Sequence, residues 1–290
     1  MLRLEGVTYR YAGASRPSLH DVSVAFDDGE VVGLVGASEA GKTTLCLVAS
    51  GLAPRTVGGT LGGRVLLDGE DAGPLAMHQL AGRIGIAFAN PATQLTGVAG
   101  TVYEEVAFGP MNLGLPRGEI IDRTDAALAG LGIGTLAARD PARLSGGQQQ
   151  LVSIAGLLAL RPKHLVLDEP TAQLDPAGTR LVADALARLA ADGASIIVAE
   201  QKTDLLASIC NRVVAIDAGR IAMDGEAAEV LADPRLTELG VAPPATVRLH
   251  RAARAAQLPA GALDRLVNAS ARASAEPSAP SSAPSSAPSK

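Results

Sequence analysis

Gly36-Ala37-Ser38-Glu39-Ala40-Gly41-Lys42-Thr43 follows the apolar run Val31-Val32-Gly33-Leu34-Val35 and opens into a helical pattern over Thr43–Ser50. Glycine, four residues, then Gly-Lys-Thr is the pattern of a loop that wraps phosphate. Backbone N–H groups of such a loop, and of the helix behind it, point at phosphate oxygens where the helix dipole favours negative charge. The segment from Gly36 to Thr44 therefore reads as a nucleotide-binding element. Gly41 leaves room for close backbone approach, Lys42 reaches the β- and γ-phosphates, and Thr43 offers its hydroxyl to Mg²⁺. An incidental glycine-rich turn needs neither a buried strand before it nor a helix after it, and this stretch has both.

Working outward, further short apolar runs occur at His164–Asp168, Ser195–Glu200 and Val213–Asp217, with helical patterns at Leu144–Leu160 and Gly178–Ala191. Strands buried on both faces and alternating with helices predict a parallel sheet with crossover helices, the α/β class. At the N-terminus, Leu2–Tyr11 and Leu19–Asp27 alternate in polarity, and Asp28-Gly29 supplies a turn into the next strand. From about residue 91 to 160 the pattern is mostly helical and glycine-punctuated, which predicts a helical insertion into the sheet.

Composition agrees with a globular chain. Of 290 residues 47% are hydrophobic but only 2% aromatic, so the core must be aliphatic. The net charge of −5 argues against a partner held by nucleic-acid phosphates. Two cysteines, Cys46 and Cys210, make no disulfide framework and read as packed thiols in a reducing compartment. The longest charge-free stretch, residues 84–103, contains Asn90, Pro91, Gln94 and glycines, which is wrong for a membrane span, and residues 1–6 hold no signal-peptide core. The expectation is a soluble, cytoplasmic chain. The four histidines show no metal-ligand spacing.

A second acidic element completes the first. His164-Leu165-Val166-Leu167-Asp168-Glu169 is an apolar strand ending in two carboxylates. Beside a phosphate loop, Asp168 would complete the Mg²⁺ environment and Glu169 would polarise a water aimed at the γ-phosphate.

Leu144-Ser145-Gly146-Gly147-Gln148 lies just ahead of that strand and resembles the signature motif of ABC-type ATPases; Pro170-Thr171-Ala172-Gln173-Leu174-Asp175 is similar to their D-loop. The resemblance covers residue 1 to about 240. It implies an α/β P-loop NTPase fold with a RecA-like parallel-sheet core, an N-terminal antiparallel β-subdomain and a helical subdomain at about 91–160. It also implies ATP and Mg²⁺ as ligands, Tyr11 as the aromatic stacked on adenine, and a head-to-tail dimer with a second ABC ATPase subunit, in which Ser145, Gly146, Gly147 and Gln148 serve the partner's nucleotide. A finer resemblance lies in Phe88-Ala89-Asn90-Pro91-Ala92-Thr93-Gln94-Leu95, Thr101–Pro110 and Asn112–Pro116, which look like the ATPase subunits of energy-coupling-factor (ECF) transporters. Those import vitamins and transition-metal ions. The implied partners are a membrane coupling subunit and a small substrate-binding membrane protein, with this chain on the cytoplasmic face of the membrane.

The chain departs from the family's pattern in three places. Ala89 stands where a glutamine is expected, Gln201 replaces the switch histidine, and Glu39-Ala40 replaces glycine or small polar residues; Glu39 is expected to face solvent. Amide and imidazole both donate hydrogen bonds, but only imidazole takes up a proton near neutral pH. Gln94 belongs to the ECF-like pattern and is not taken as a substitute for the missing glutamine. The altered residues act on this chain's own nucleotide while the signature is intact, so the expectation is the partly degenerate half of a heterodimer. Rival readings are the ATPase of another ABC transporter, a binding-only regulatory subunit, and a soluble ABC protein acting on ribosomes or DNA. Beyond the family segment, 241–270 reads as a helical extension, with Arg248, Arg251 and Arg254 at helical spacing, and 271–290 as a disordered Ala/Ser/Pro tail.

Overall fold

The computed structural model of the protein describes residues 1–257. The strands are β1 (Leu2–Arg10), β2 (Leu19–Phe26), β3 (Val31–Val35), β4 (Thr60–Leu67), β5 (Glu70–Asp71), β6 (Ile84–Ala87), β7 (His164–Asp168), β8 (Ser195–Ala199), β9 (Arg212–Asp217) and β10 (Arg220–Glu226). One sheet has the order β10-β9-β3-β8-β7-β6; every pair in it is parallel except β10 with β9. A second, antiparallel sheet has the order β2-β1-β4-β5. Strand order in the parallel sheet departs from chain order, so helical crossovers must cover its faces.

The central strands obey a period of two. Val31 and Val35 of β3 enter one hydrophobic core while Val32 and Leu34 enter another; Leu165 and Leu167 of β7 oppose Val166 in the same way, as do Ile196 and Val198 of β8 with Ile197 and Ala199. One core is closed by the helices α2 (Val102–Asn112), α3 (Arg117–Gly130), α4 (Gly146–Ala159) and α5 (Pro176–Ala191). The other is closed by α1 (Lys42–Ala49) and the antiparallel sheet. Tyr9 and Phe26 are the aromatic members of an otherwise aliphatic interior of large, fully buried side chains.

The sheet thus places the C-terminal ends of β3, β7 and β8 side by side, where an open parallel sheet offers its ligand crevice. Strands β4, β5, β6 and β10 extend the sequence expectation. Both thiols are packed: Cys46 is buried, and burial pushes the Cys210 thiol up to about 12, so neither is a nucleophile at neutral pH. Among the described residues no helix is long and apolar enough to cross a membrane.

His164 opens β7 with 1% exposure, and neither ring nitrogen has a hydrogen-bond partner. Burial holds the imidazole below its ordinary range, against the attraction of the Asp28 carboxylate 3.5 Å away. A histidine that resists protonation only when folded destabilises the fold as pH drops below its unfolded value of about 6.5. Stability is therefore expected to fall between pH 7 and pH 5 with a slope of at most about 1.4 kcal/mol per pH unit from this group, and His164→Leu is expected to flatten that part of the curve. Chemical denaturation of both proteins across the range checks it.

Contacts divide the chain into a unit spanning Met1–Pro244 and a second beginning at Ala245. In the first, Val241 is buried and the Thr203 hydroxyl donates to the Ala242 carbonyl at 2.7 Å, which carries the unit a few residues past the expected end at 240. In the second, the helix Ala245–Ala255 carries Arg248, Arg251 and Arg254. The rest of the expected extension and the whole tail lie outside the described residues.

Candidate functional site

The loop after β3 is held open by close backbone contacts. A Cβ at Gly36 would collide with the Ile216 carbonyl oxygen of β9, and the Gly219 N–H donates to the Ala40 carbonyl at 2.8 Å. Lys42, 5% exposed, folds its ammonium back to donate to the carbonyls of Gly36 at 2.9 Å and Ala37 at 3.0 Å. An ammonium cradled by its own loop stands where a phosphate would be cradled with it.

The Thr43 hydroxyl donates to Asp168 Oδ1 at 3.1 Å, joining the first turn of α1 to the end of β7. Burial holds the Asp168 carboxyl above the usual carboxylate range, with the Thr43 hydrogen bond and Lys42 opposing the rise and Glu169 adding to it. Adjacent hydroxyl and carboxylate oxygens are the hard donors Mg²⁺ takes, and a buried carboxylate is what a divalent cation stabilises, so the residues fit that ion. Among the described residues no group of three or more His, Cys, Asp or Glu could hold a metal by itself.

Glu169, the next residue, has the left-handed φ of 51°, and its N–H donates to the Ala199 carbonyl of β8 at 2.8 Å. Strain of this kind, about 1 to 3 kcal/mol, persists where the surroundings over-determine it. Here it turns the carboxylate out of the sheet, where Oε1 accepts from Gln201 Nε2 at 2.8 Å. Both residues line a cavity of about 460 Å³ together with Lys42 and Thr43.

One aromatic residue, Tyr11, also lines the cavity. Tyr11 lies just beyond β1, packs edge-on against Tyr9 with ring centroids 4.9 Å apart, and shares a 3.1 Å hydrogen bond between its hydroxyl and that of Thr44. Thr44 is therefore engaged with Tyr11, while Thr43 faces Asp168. Ser38 and Glu39 complete the lining, as does Ser18, which no motif singled out because the turn after β1 alone brings it there.

Glu39 is exposed, as expected, yet belongs to the cavity, and it holds a φ of 65° that disfavours any residue but glycine. Glu39→Gly is expected to tighten ATP binding about fivefold at low salt by removing a like charge at contact range, with the gain shrinking as salt is added. Nucleotide titration at two ionic strengths reads this, and an affinity that does not move sets the carboxylate clear of the phosphates.

The signature residues lie elsewhere. Ser145 caps α4, with the Gln148 N–H donating to its hydroxyl at 3.4 Å and the Ser145 N–H donating to Gln148 Oε1 at 3.2 Å. Ser145 and Gly146 are exposed, Gly147 is buried, and none of the four lines the cavity. Gln94 does not line it either. Its Oε1 accepts from the Phe88 N–H at 2.8 Å and its Nε2 donates to the Ile86 carbonyl at 3.1 Å, which ties down the segment carrying Ala89.

A family model described as ABC transporter matches residues 19–172, a span that runs from β2 through the phosphate loop and both carboxylates. The chain belongs to the ABC transporter family. Among its relatives, an energy-coupling factor transporter ATP-binding protein EcfA of Methanosarcina acetivorans is 38% identical over 251 residues, 86% of this chain and 88% of that one. A provisionally named ABC transporter ATP-binding protein of Methanosarcina mazei is 39% identical over 254 residues, 87% of this chain, which spans only 43% of that relative's length. Of solved structures, cbiO1 of Clostridium perfringens, described as part of the ABC transporter complex cbiONQ, superposes with a TM-score of 0.74 at 32% identity, covering 89% of this chain and 98% of that one. Within the ABC family the chain is thus similar to the ATPase subunits of ECF transporters, and its parallel core with an antiparallel sheet is the P-loop ATPase fold.

Proposed function

We propose that this chain is the ATP-binding and ATP-hydrolysing subunit of an ECF-type importer, working at the cytoplasmic face of the membrane on uptake of a vitamin or a transition-metal ion. The observation that carries the reading is a division within one chain. Lys42, Thr43, Glu169 and Gln201 line one cavity with Asp168 hydrogen-bonded behind Thr43, while Ser145–Gln148 lies outside it. A phosphate site that leaves Ser145 and Gly146 of its signature exposed is suited to closing against a second ATPase subunit. The names of the EcfA and cbiONQ relatives support a membrane coupling subunit and a small substrate-binding membrane protein as further partners.

In this reading the loop N–H groups and Lys42 hold the β- and γ-phosphates, and Tyr11 offers its face to adenine. Thr43 and Asp168 would hold Mg²⁺, which neutralises phosphate charge when bound. Glu169 accepts a proton from water as the water oxygen bonds to the γ-phosphorus and the bond to the bridging oxygen breaks, releasing ADP and phosphate. Gln201 orients that carboxylate but cannot itself take up the proton. With Ala89 bringing no polar group, turnover at this chain's own loop is slow, and the chain is the partly degenerate half of a heterodimer.

The complex should be solubilised from native membranes through this chain, its members identified by mass spectrometry, and its ATPase rate measured. A second ABC ATPase and two membrane proteins are expected. The rate is expected to survive Glu169→Gln in this chain and to be lost with Ser145→Arg, whose side chain blocks the surface offered to the partner's nucleotide. The 2.8 Å contact between Gln201 and Glu169 favours a second reading, a homodimer with two working sites. In that case Glu169→Gln abolishes the rate and no second ATPase is recovered. Recovery of ribosomal or DNA-bound proteins instead overturns the transport reading.

A further inference from the structure

Next to Gln201 lies a carboxylate that the chemistry above does not use. Glu200 ends the run that begins with β8 and is 1% exposed, yet both its oxygens are engaged. Oε1 accepts from the backbone N–H of Thr171 at 3.0 Å and from the Thr171 hydroxyl; Oε2 accepts from the N–H of Gln201 at 2.9 Å and of Lys202 at 3.3 Å. Lys202 closes the same junction from outside, its ammonium donating to the Thr171 carbonyl at 2.7 Å and the Thr179 hydroxyl at 2.9 Å. Thr171 follows Glu169 by two residues, so the contacts form a ring: Glu169, Pro170, Thr171, the Glu200 carboxylate, Gln201, and back through the Gln201 carboxamide to Glu169.

We propose that Glu200 is a positioning residue for hydrolysis, its carboxylate setting the Gln201 carboxamide against Glu169 and fixing the start of the Pro170–Asp175 loop. The inference rests on the reading of Glu169 as the base. Its chemistry is specific. Three of the four partners are N–H groups that can only donate, and they approach both oxygens, so a carboxylate satisfies them and an amide of the same shape cannot. In Glu200→Gln the amide nitrogen must face either Thr171 or the paired N–H groups of Gln201 and Lys202. Whichever it faces is left buried without an acceptor, and the ring opens. The buried environment makes this a local failure, because the flanking strands β7 and β8 are held by their own ladder.

The test uses the full chain without the partner ATPase, with ATP and Mg²⁺. It takes as its signal the slow turnover at this chain's own phosphate loop, which Glu169→Gln removes and which the partner's site masks in the assembled complex. Glu200→Gln is expected to lower that kcat about 100-fold, the effect of misplacing a reacting group by an ångström, while KM for ATP stays within about twofold because Lys42 and Tyr11 lie outside the ring. Amide exchange at Thr171, Gln201 and Lys202 is expected to quicken while α1 keeps its protection, and Glu200→Asp is expected to recover part of both. Unchanged kcat with loosened amides overturns the proposal. So does a loss in which KM and the protection of α1 move together with kcat, since that marks a merely structural residue. If wild type is no faster than Glu169→Gln, the hydrolysis reading fails separately; unchanged exchange at Thr171 and Gln201 in Glu200→Gln then overturns the positioning role as well.

Discussion

Lys42→Met is expected to weaken ATP binding by a factor of about 100 or more. The reason lies in the charge balance of the cavity. Lys42 is the one cationic side chain in its lining among the described residues, whereas Glu39 and Glu169 both line it and Asp168 stands behind Thr43. A polyphosphate entering this space meets two carboxylates and one ammonium, and without Lys42 it meets only the carboxylates. Hydrogen bonds to charged groups contribute about 1.5 to 3 kcal/mol each, and Lys42, with two of its three N–H groups on the Gly36 and Ala37 carbonyls, keeps one for phosphate beside its charge, so a loss of about 2.7 kcal/mol is a hundredfold in affinity. Methionine keeps the apolar stem of a side chain that is 5% exposed and lacks only its ammonium, so the stem's packing survives and the lost affinity is electrostatic. Calorimetric titration with ATP and Mg²⁺ measures it, and the melting temperature without nucleotide separates that loss from the release of the Gly36 and Ala37 carbonyls. If Kd rises less than tenfold, the backbone N–H groups hold the phosphates alone. The salt dependence of binding should also become shallower, because the attraction that salt screens is gone.

How much of this site can be read from the chain alone depends on whether its parts are local. The phosphate loop is contiguous, and the run His164–Asp168 coincides with β7, because a strand buried on both faces announces itself by unbroken apolarity. Strand β6 does not, being Ile84–Ala87 with Gly85 inside it, a tetrapeptide that is stable only because β7 supplies its ladder. The Gly62-Gly63 pair hides β4 in the same way. Strand β10 alternates as an edge strand should, yet its partner on the sheet is needed to tell it from a loop. The ring through Glu200 is the least legible element. A glutamate beside a switch residue looks like a surface group until the fold brings Thr171, 29 residues away, against it. Distances within a motif are written in the sequence, and distances between crossover ends are written in the sheet.

The signature supplies the other large effect, and here packing decides. Gly147 sits where α4 meets the N-terminus of α5. A Cβ there would stand 2.7 Å from the Gly178 Cα and 3.3 Å from its carbonyl oxygen, backbone against backbone, so no rotamer relieves it. Gly178 is itself pinned, its N–H donating to the capping carboxylate of Asp175 at 2.6 Å. Gly147→Ala therefore has to part the two helix ends, at about 1 to 3 kcal/mol for overpacking. Parting them moves Ser145 and the first N–H groups of α4 by a distance that matters to any phosphate they serve. In the assembled complex the ATPase rate is expected to drop about 100-fold, the consequence of a shift near 1 Å in a positioned group, while ATP binding to the isolated chain stays intact because the signature does not line its cavity. Gly156→Ala is the matched control, since a Cβ there meets nothing within 4 Å on the same helix. It should stabilise the chain by up to about 1 kcal/mol and leave turnover alone. A Gly147→Ala complex that turns over at the wild-type rate would show that Ser145–Gln148 takes no part in hydrolysis of the partner's nucleotide. Loss of ATP binding in the isolated variant would show instead that the two helix ends and the phosphate loop form one mechanical unit.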